Sequence, residues 1–475
     1  MTKPLKNILF TIAGLLGLLI LIPVVLLWFV DTNVYKPRLE RAASKALGME
    51  VRVGGPLGIA FFPGLQLRLA DVHIGNQGVD VAAASEARLE LALLPLLHRQ
   101  VRIRGIRLLR PRIYLKRDRD GRYNFTQREK APRTSAALAL DYLSLSDGTF
   151  LYGDEQSGEG FTVENFNVDA HRLRTAGGTG AERLKNLCLT AEFACREIRT
   201  KRLVFSEVKL TCLGKDGLLM LDPVTLRFFG GQGAGSIGVD FSDPVPRYTV
   251  RAVLSQFRIE EYLKTLYSKQ AAEGSMDFTA RLSLQGKSVQ EIKQSAQGEV
   301  SLRGENLVLH GHDLDREFAR FASSQNFNLI DAGAFFFAGP IGLAVTKGYN
   351  FGSIFQGKGG SSSIGELFSD WKVERGVAQA GDVAMATKKN RVALKGSIDF
   401  ANDQFDDVTI ALIDAHGRVR VKQKIHGPFQ KPVVEKPSVL LSLAGPTLNL
   451  LRQAGDLVTG GTGEVFYAGS VPAPK

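Results

Sequence analysis

Apolar and polar residues alternate with a period of two through most of this chain, and that pattern limits its fold more than any other feature. Leu65, Leu67 and Leu69 are separated by Gln66 and Arg68; Ala87, Leu89, Leu91 and Leu93 by Arg88, Glu90 and Ala92. The pattern returns at Val208-Leu210-Cys212, Val224-Leu226-Phe228, Ile237-Val239-Phe241, Phe278-Ala280-Leu282-Leu284 and Val300-Leu302. It continues at Val392-Leu394, Ile398-Phe400, Val408-Ile410-Leu412 and Val419-Val421. Successive side chains of a strand point to opposite faces, so each segment makes one apolar and one wetted face, as in antiparallel sheet. The segments recur every ~8–12 residues with Gly, Asp or Asn between them, the spacing of hairpins and meanders. About twenty or more such strands cannot stay one flat sheet with an apolar face in water. Either two sheets close into sandwiches, or one long sheet curls about its own apolar face and leaves a groove suited to hydrocarbon.

Helical periodicity is rare. Pro37 near a first turn, the stripe Leu39, Ala42, Ala43, Ala46 and Leu47, and Gly48 as a stop predict one short helix. Further helices are expected at Phe257–Tyr267, Asp315–Ser323 and Val439–Leu451, the last broken at Gly445-Pro446, with a flexible loop at Gly357–Ser363. A soft boundary falls near residues 250–275. The expected division is a cytoplasmic tip and anchor (1–31), an N-terminal β region (32–254), a C-terminal β region (255–436), and an apolar helix and tail (437–475).

The anchor is the uncharged run Ile8 to Val30. As a helix at ~1.5 Å per residue it is long enough to cross a hydrocarbon core of ~30 Å. Lys3 and Lys6 precede it, and Trp28 stands near its far end, where an amphipathic ring suits a membrane interface. A cleavable signal peptide would have a shorter apolar core and small residues before the cut, whereas this run ends Leu27-Trp28-Phe29-Val30. Lys36, Arg38, Arg41 and Lys45 follow closely, so charge alone does not orient the helix.

Of the formal net charge of +12, an excess of ten lies between Arg99 and Arg133, where thirteen Lys and Arg meet Asp118, Asp120 and Glu129. Arg102 and Arg104 alternate with Val101 and Ile103, the pattern of a solvated strand face. Anionic lipid head groups are the alternative partner, with Arg102, Arg104 and Arg107 as candidates. No aromatic interleaving suits nucleic acid. The three cysteines, Cys188, Cys195 and Cys212, allow at most one internal disulfide; Cys188 and Cys195 across a hairpin, or small buried thiols, are equally compatible.

Several segments together resemble the AsmA family of bacterial envelope proteins, distantly grouped with TamB and the chorein-type lipid bridges. They are the anchor followed by Tyr35-Lys-Pro-Arg-Leu-Glu40 with Ala42-Ala43, and Gly48 to Ile74 with Gly55-Pro56-Leu57 and Phe61-Phe62-Pro63. Further segments are Arg110-Pro-Arg-Ile-Tyr-Leu-Lys-Arg-Asp-Arg-Asp-Gly-Arg-Tyr-Asn-Phe125, Lys215 to Val224 with Phe228 to Gly231 and Gly235-Ser236, and Gly298 to Leu314. The resemblance implies a mainly β fold: an N-terminal transmembrane helix, then an elongated, curved, taco-like antiparallel β-sheet groove with a few short amphipathic helices. It also implies a single-pass inner-membrane protein with its bulk in the periplasm, and a role in phospholipid movement or outer-membrane assembly. Residues expected to line the groove are Leu65, Leu67, Leu69, Leu89, Leu91, Val224, Leu226, Phe228, Phe278, Leu282, Leu284, Val300 and Leu302.

Signs of catalysis are weak. His310-Gly-His312 with Asp313 suggests a metal pair but lacks further ligands at recognisable spacing, and hairpin surface histidines are the simpler reading. Gly352 to Gly359 nearly spells a phosphate loop, yet Gly359 replaces the hydroxyl residue that would meet Mg²⁺. Gly230 to Gly235 is followed by a strand pattern, so a hairpin turn is expected there and not a dinucleotide turn. The adjacent acids Glu260-Glu261 and Asp406-Asp407 do not face each other, and no nucleophile elbow or Cys-His arrangement occurs. No enzyme activity or cofactor is expected. The expected partners are phospholipid, the inner membrane and other envelope proteins, with no nucleic acid; an envelope scaffold or chaperone acting by strand addition is the alternative function. The uncleaved anchor makes a direct prediction: N-terminal sequencing of the mature protein reads from within the first residues, and a start beyond Val30 contradicts it.

Overall fold

In the computed structural model the chain is mainly β and divides into two compact units, Met1–Lys201 and Arg202–Lys475. The structure describes residues 32–60, 64–76, 78–98, 100, 102–125, 138–175, 184–265, 272–324, 329, 336–337, 359–439 and 465–474. The expected anchor, Ile8 to Val30 with Trp28, lies outside them, as do Gly352–Lys358 and residues 440–451 of the expected last helix. Among the described residues no helix is long and apolar enough to cross a membrane.

The first unit opens with α1 (Lys36–Leu47), which has Pro in its first turn. It stops at Gly48, whose φ of 68° is left-handed and whose N–H donates to the Ser44 carbonyl. Leu39 on this helix packs against Val53, Leu57, Leu69, Val72 and Ala87. The strands are β1 (Glu50–Val53), β2 (Leu57–Ala60), β3 (Gln66–Asn76), β4 (Val79–Leu91), β5 (Ile103–Leu109), β6 (Arg112–Arg117), β7 (Leu138–Asp154), β8 (Gly160–Thr175) and β9 (Cys188–Thr200), with a short helix α2 (Leu93–Leu97) after β4. β1 and β2 pair with successive parts of β3, and β4 carries both β5 and β6. β5 and β6 then run parallel to β7, a departure from the antiparallel expectation. The chain between β6 and β7 is long enough to cross over and re-enter in the same sense, which a tight turn cannot do. Leu93, expected as the last apolar residue of a strand, belongs to α2.

Among the described residues of the second unit every strand pairing is antiparallel. Its strands are β10 (Val204–Lys215), β11 (Leu218–Phe228), β12 (Gly231–Asp240), β13 (Arg247–Arg258), β14 (Ala272–Glu273), β15 (Ser275–Gln285) and β16 (Gln297–His310). They continue as β17 (Ser361–Glu374), β18 (Val377–Thr387), β19 (Arg391–Asp399), β20 (Gln404–Ile413), β21 (Val419–Pro428), β22 (Val433–Val434) and β23 (Ser438–Val439). Among the described residues the helices α3 (Ile259–Lys264), α4 (Val289–Ser295) and α5 (Leu314–Ser324) interrupt them. The expected domain boundary at 254/255 falls inside β13, whose pairing with β15 continues on both sides of it. Ser361–Ser363, expected in a loop, already belong to β17, and Val439, expected to begin a helix, is the last residue of β23.

Bulges explain where the alternation breaks. In β13 the register shifts between Leu254 and Phe257, with Gln256 at φ 50°. The extra residue returns the next apolar side chain to the same face, so Leu254 and Phe257 are both buried although three positions apart. Phe257, expected in a helix, is therefore the last inward residue of a strand. Glu207, Asp147, Asn165 and Asp407 hold the same left-handed conformation within β10, β7, β8 and β20.

At the C-terminal end of the second unit both sheet faces are covered. Ala384, Ala393 and Ala411 stand in register on β18, β19 and β20 and pack with Tyr467 and Val471 of the terminal segment 465–474. Small side chains let that segment lie close to the sheet. The Tyr467 hydroxyl donates to Asp382, the Ser470 N–H donates to the same carboxylate (2.9 Å), and Arg391 donates to the Val471 carbonyl (2.8 Å). Burial would raise the Asp382 carboxyl, but the hydrogen bonds from Tyr467 and Ser470 outweigh it and hold the group below its ordinary range. Its folded value is thus below the unfolded one, so this clasp stabilises at neutral pH and weakens as pH falls through the folded value. Tyr467→Phe removes the donor to Asp382 and the acceptor for the Val471 N–H. It should cost about 1–3 kcal/mol in denaturant unfolding and raise amide exchange in β18–β20. Unchanged stability and exchange would show that the segment is held by apolar packing alone.

Candidate functional site

Strand register in the second unit lines apolar side chains into rungs that cross the sheet. One rung runs Leu226, Gly233, Leu254, Phe278, Leu302 and Ser369 through β11, β12, β13, β15, β16 and β17. The next runs Val224, Gly235, Ala252, Ala280, Val300, Trp371 and Ala380. A third joins Ile237, Val250, Leu282, Gly298, Val373, Ala378 and Ile398. The matching positions one residue along carry Thr279, Arg281 and Ser283, the wetted face.

This apolar face is packed at one end and open at the other. Met276, Leu302, Leu307 and Leu309 are fully buried together with Phe257, Ile259, Leu314 and Phe336. Farther along the same strands Phe278, Leu282, Leu284 and Val300 are only half-buried. They wall a cavity of about 290 Å³ together with Trp371, Val373, Ile398 and Phe400. A second cavity of about 220 Å³ is lined by Phe205, Val224, Leu226, Phe228, Val250 and Leu254, and Phe278 stands in the wall of both. Gly298 keeps its rung low: its φ is 141°, and a Cβ there would come within 1.9 Å of the Arg281 carbonyl oxygen.

One end of the larger cavity is formed by α4, which the alternation did not foretell. Ile292, Lys293 and Ala296 contribute to its wall. The helix is fixed by a capping box: the Ser288 hydroxyl accepts from the Glu291 N–H (3.2 Å), and the Glu291 carboxylate accepts from the Lys287 N–H (2.9 Å). The Ser288-x-x-Glu291 spacing was the available signal. Lys293 is turned to Asp403, with 2.7 Å between Nζ and Oδ1, which keeps its charge paired at the rim.

The first unit repeats the arrangement on a smaller core. Leu67, Leu89, Ile106, Leu143, Ala170 and Ala191 form one rung, and Leu69, Ala87, Leu108, Leu145, Val168 and Phe193 the next. Leu65 and Leu69 are buried, while Leu67, Leu89 and Leu91 are half-buried. The apolar face ends in aromatic side chains, Phe150 and Tyr152 against Phe161.

The three candidate head-group arginines have different surroundings. Arg107 lies over the Tyr142 ring, 4.9 Å from its centroid, and Arg104 is paired with Asp141 at 3.0 Å. Arg102 is exposed and lines a pocket of about 610 Å³ with Arg104, Glu90, Leu91 and Asp141. The two histidines considered for a metal take separate partners. His310 faces Glu273 at 3.3 Å and His312 faces Glu317 at 2.8 Å. Among the described residues no group of three or more His, Cys, Asp or Glu could hold a metal ion. Cys188 and Cys195 lie on the same strand, β9, and all three cysteines are free thiols; burial pushes the Cys195 and Cys212 thiols up. Gly230 forms the β11–β12 turn with Phe229, at φ 76° and 49°, as the hairpin reading required.

A mainly β protein whose sheet carries a one-sided apolar face is the class these features define. The sequence matches the AsmA family over residues 1–176 and 179–332, and the chain belongs to that family. No curated protein matches it.

The graded burial makes a ranked prediction for charge insertion, read by thermal and denaturant unfolding. Leu302→Asp, at 0 % exposure, should cost more than about 4 kcal/mol. Leu282→Asp should cost clearly less because water can enter the cavity it faces, and Arg281→Glu on the wetted face should stay within about 0.5 kcal/mol. Equal losses at Leu302 and Leu282 would mean that the face is closed at both.

Proposed function

We propose that this chain is a non-enzymatic, inner-membrane-anchored periplasmic protein that binds phospholipid acyl chains along the apolar faces of its sheets and helps move them toward the outer membrane. The observation that carries this reading is the half-buried stretch Phe278, Leu282, Leu284 and Val300, an apolar wall with space before it. A packed sandwich would fill that space with side chains; acyl chains are the complementary filling, because the lining is apolar apart from Lys293, whose charge is taken up by Asp403. In this reading each sheet is the floor of a curved groove, and the run Ile8–Val30 holds it to the membrane as a single span. Membership of an envelope family supports the placement by analogy of fold.

The test is lipid carried by the full-length chain after purification in detergent and detergent removal, measured by extraction and mass spectrometry. Wild type should retain phospholipid. Ala280→Trp, which places an indole in the cavity of about 290 Å³, should retain less than half as much while still folding. Lipid-free wild-type protein, or full lipid in the filled variant, contradicts the reading. Lipid-free protein that captured unfolded outer-membrane strands would favour the strand-addition alternative.

A further inference from the structure

The pocket at the β4–β5 end of the first unit has a chemistry different from the two apolar cavities. It holds about 610 Å³ and mixes polar with apolar walls. The register of β4 on β5 shifts between Glu90 and Leu91, so that Glu90 pairs with Gly105 and Leu91 with Ile103. Glu90, Leu91, Arg102, Ile103 and Arg104 of this irregular strand end line the pocket with Asp141 of β7. Two carboxylates meet there. The Glu90 carboxylate accepts from the Tyr142 hydroxyl at 2.6 Å, and Asp141 accepts from Arg104 Nε at 3.0 Å. The same Arg104 guanidinium reaches Glu90 at 3.8 Å, so one cation serves both acids. Arg102 is exposed and has no ion pair among the described residues.

Two arginines and two carboxylates make the pocket formally neutral, with an uncommitted cation on one side and incompletely neutralised carboxylates on the other. A purely anionic head group would gain Arg102 but meet Glu90 and Asp141 with nothing to offer them. A head group carrying both a phosphate and an ammonium satisfies both sides. Its phosphate accepts from the Arg102 guanidinium, and its ammonium donates to carboxylate oxygens that Tyr142 and Arg104 leave free. Directly inside, the Leu91–Ile103 pair leads to the Leu89–Ile106 rung, an apolar path for the attached chains. At the rim Leu93 and Leu94 of α2 are 56 % and 76 % exposed, which suits contact with the glycerol and upper acyl region of a bilayer.

We infer that this pocket binds the zwitterionic head group of an aminophospholipid, with Arg102 taking the phosphate and Glu90 and Asp141 the ammonium. The inference rests on the lipid-groove reading and adds head-group selection to it.

The experiment uses the full-length chain, exchanged in detergent with equimolar phosphatidylethanolamine and phosphatidylglycerol and re-isolated without detergent. Bound lipids are counted by mass spectrometry. Wild type should hold phosphatidylethanolamine in about three- to five-fold excess, the scale of an exposed charge pair. Glu90→Gln with Asp141→Asn should bring the ratio to about one, and Arg102→Gln should lower both lipids. Asp141→Asn alone, which leaves the Tyr142 partner in place, should shift the ratio the same way and serves if the double variant fails to fold. A wild-type ratio near one, or a ratio indifferent to these variants while lipid is still bound, overturns the head-group assignment and leaves the groove standing. Wild type that binds neither lipid defeats the groove reading itself.

Discussion

Everything in this fold depends on register. Side chains alternate between faces with a period of two, so a slip of one residue would carry every leucine of a strand to the wetted side. The pairings instead stack Leu226, Leu254, Phe278 and Leu302 into one rung and Ala252, Ala280, Val300 and Trp371 into the next. Where a strand drifts, a bulge restores the phase, as Gln256 does between Leu254 and Phe257. The apolar face is therefore continuous across strands that are distant in sequence.

What covers that face differs along it. At the C-terminal strands Ala384, Ala393 and Ala411 leave room for Tyr467 and Val471 on the outside while Val392, Ile410 and Leu412 are buried on the inside. Around β11 to β15 the inner face keeps open volume beside Leu226, Phe278 and Leu282. Filling it with hydrocarbon removes apolar surface from water on both partners. An acyl chain gains on the order of 0.8 kcal/mol per CH₂ when it leaves water, but close to nothing when it leaves a bilayer of equal polarity. A face of this kind does not hold lipid tightly against a membrane. In the proposed function it would spare a chain in transit the cost of meeting water, which is the physical requirement of a conduit.

The sheet and its inner face were legible because their signal is local and repeated. Phe278-Ala280-Leu282-Leu284 alternates without interruption, and the cavity wall follows it residue for residue. Features that depend on one inserted residue or on distant partners were not legible. Phe257 looked helical because the bulge at Gln256 breaks the parity. The parallel pairing of β5 and β6 with β7 comes from a crossover that no period reveals. Arg102, Arg104 and Arg107 look alike in sequence, yet Asp141 and Tyr142, far along the chain, give two of them partners. The Ser288-x-x-Glu291 spacing was a local signal for α4 that the reading of the sequence missed, because the β alternation around it dominated.

In the proposed function one face of β15 meets lipid and the other meets water. Photo-crosslinking benzoylphenylalanine placed singly at Leu282, Leu284, Arg281 and Ser283 of the full-length chain in living cells tests it most directly. Lipid adducts are expected by mass spectrometry from positions 282 and 284 and none from 281 and 283. Adducts without this alternation, or only to protein from the apolar positions, would contradict it.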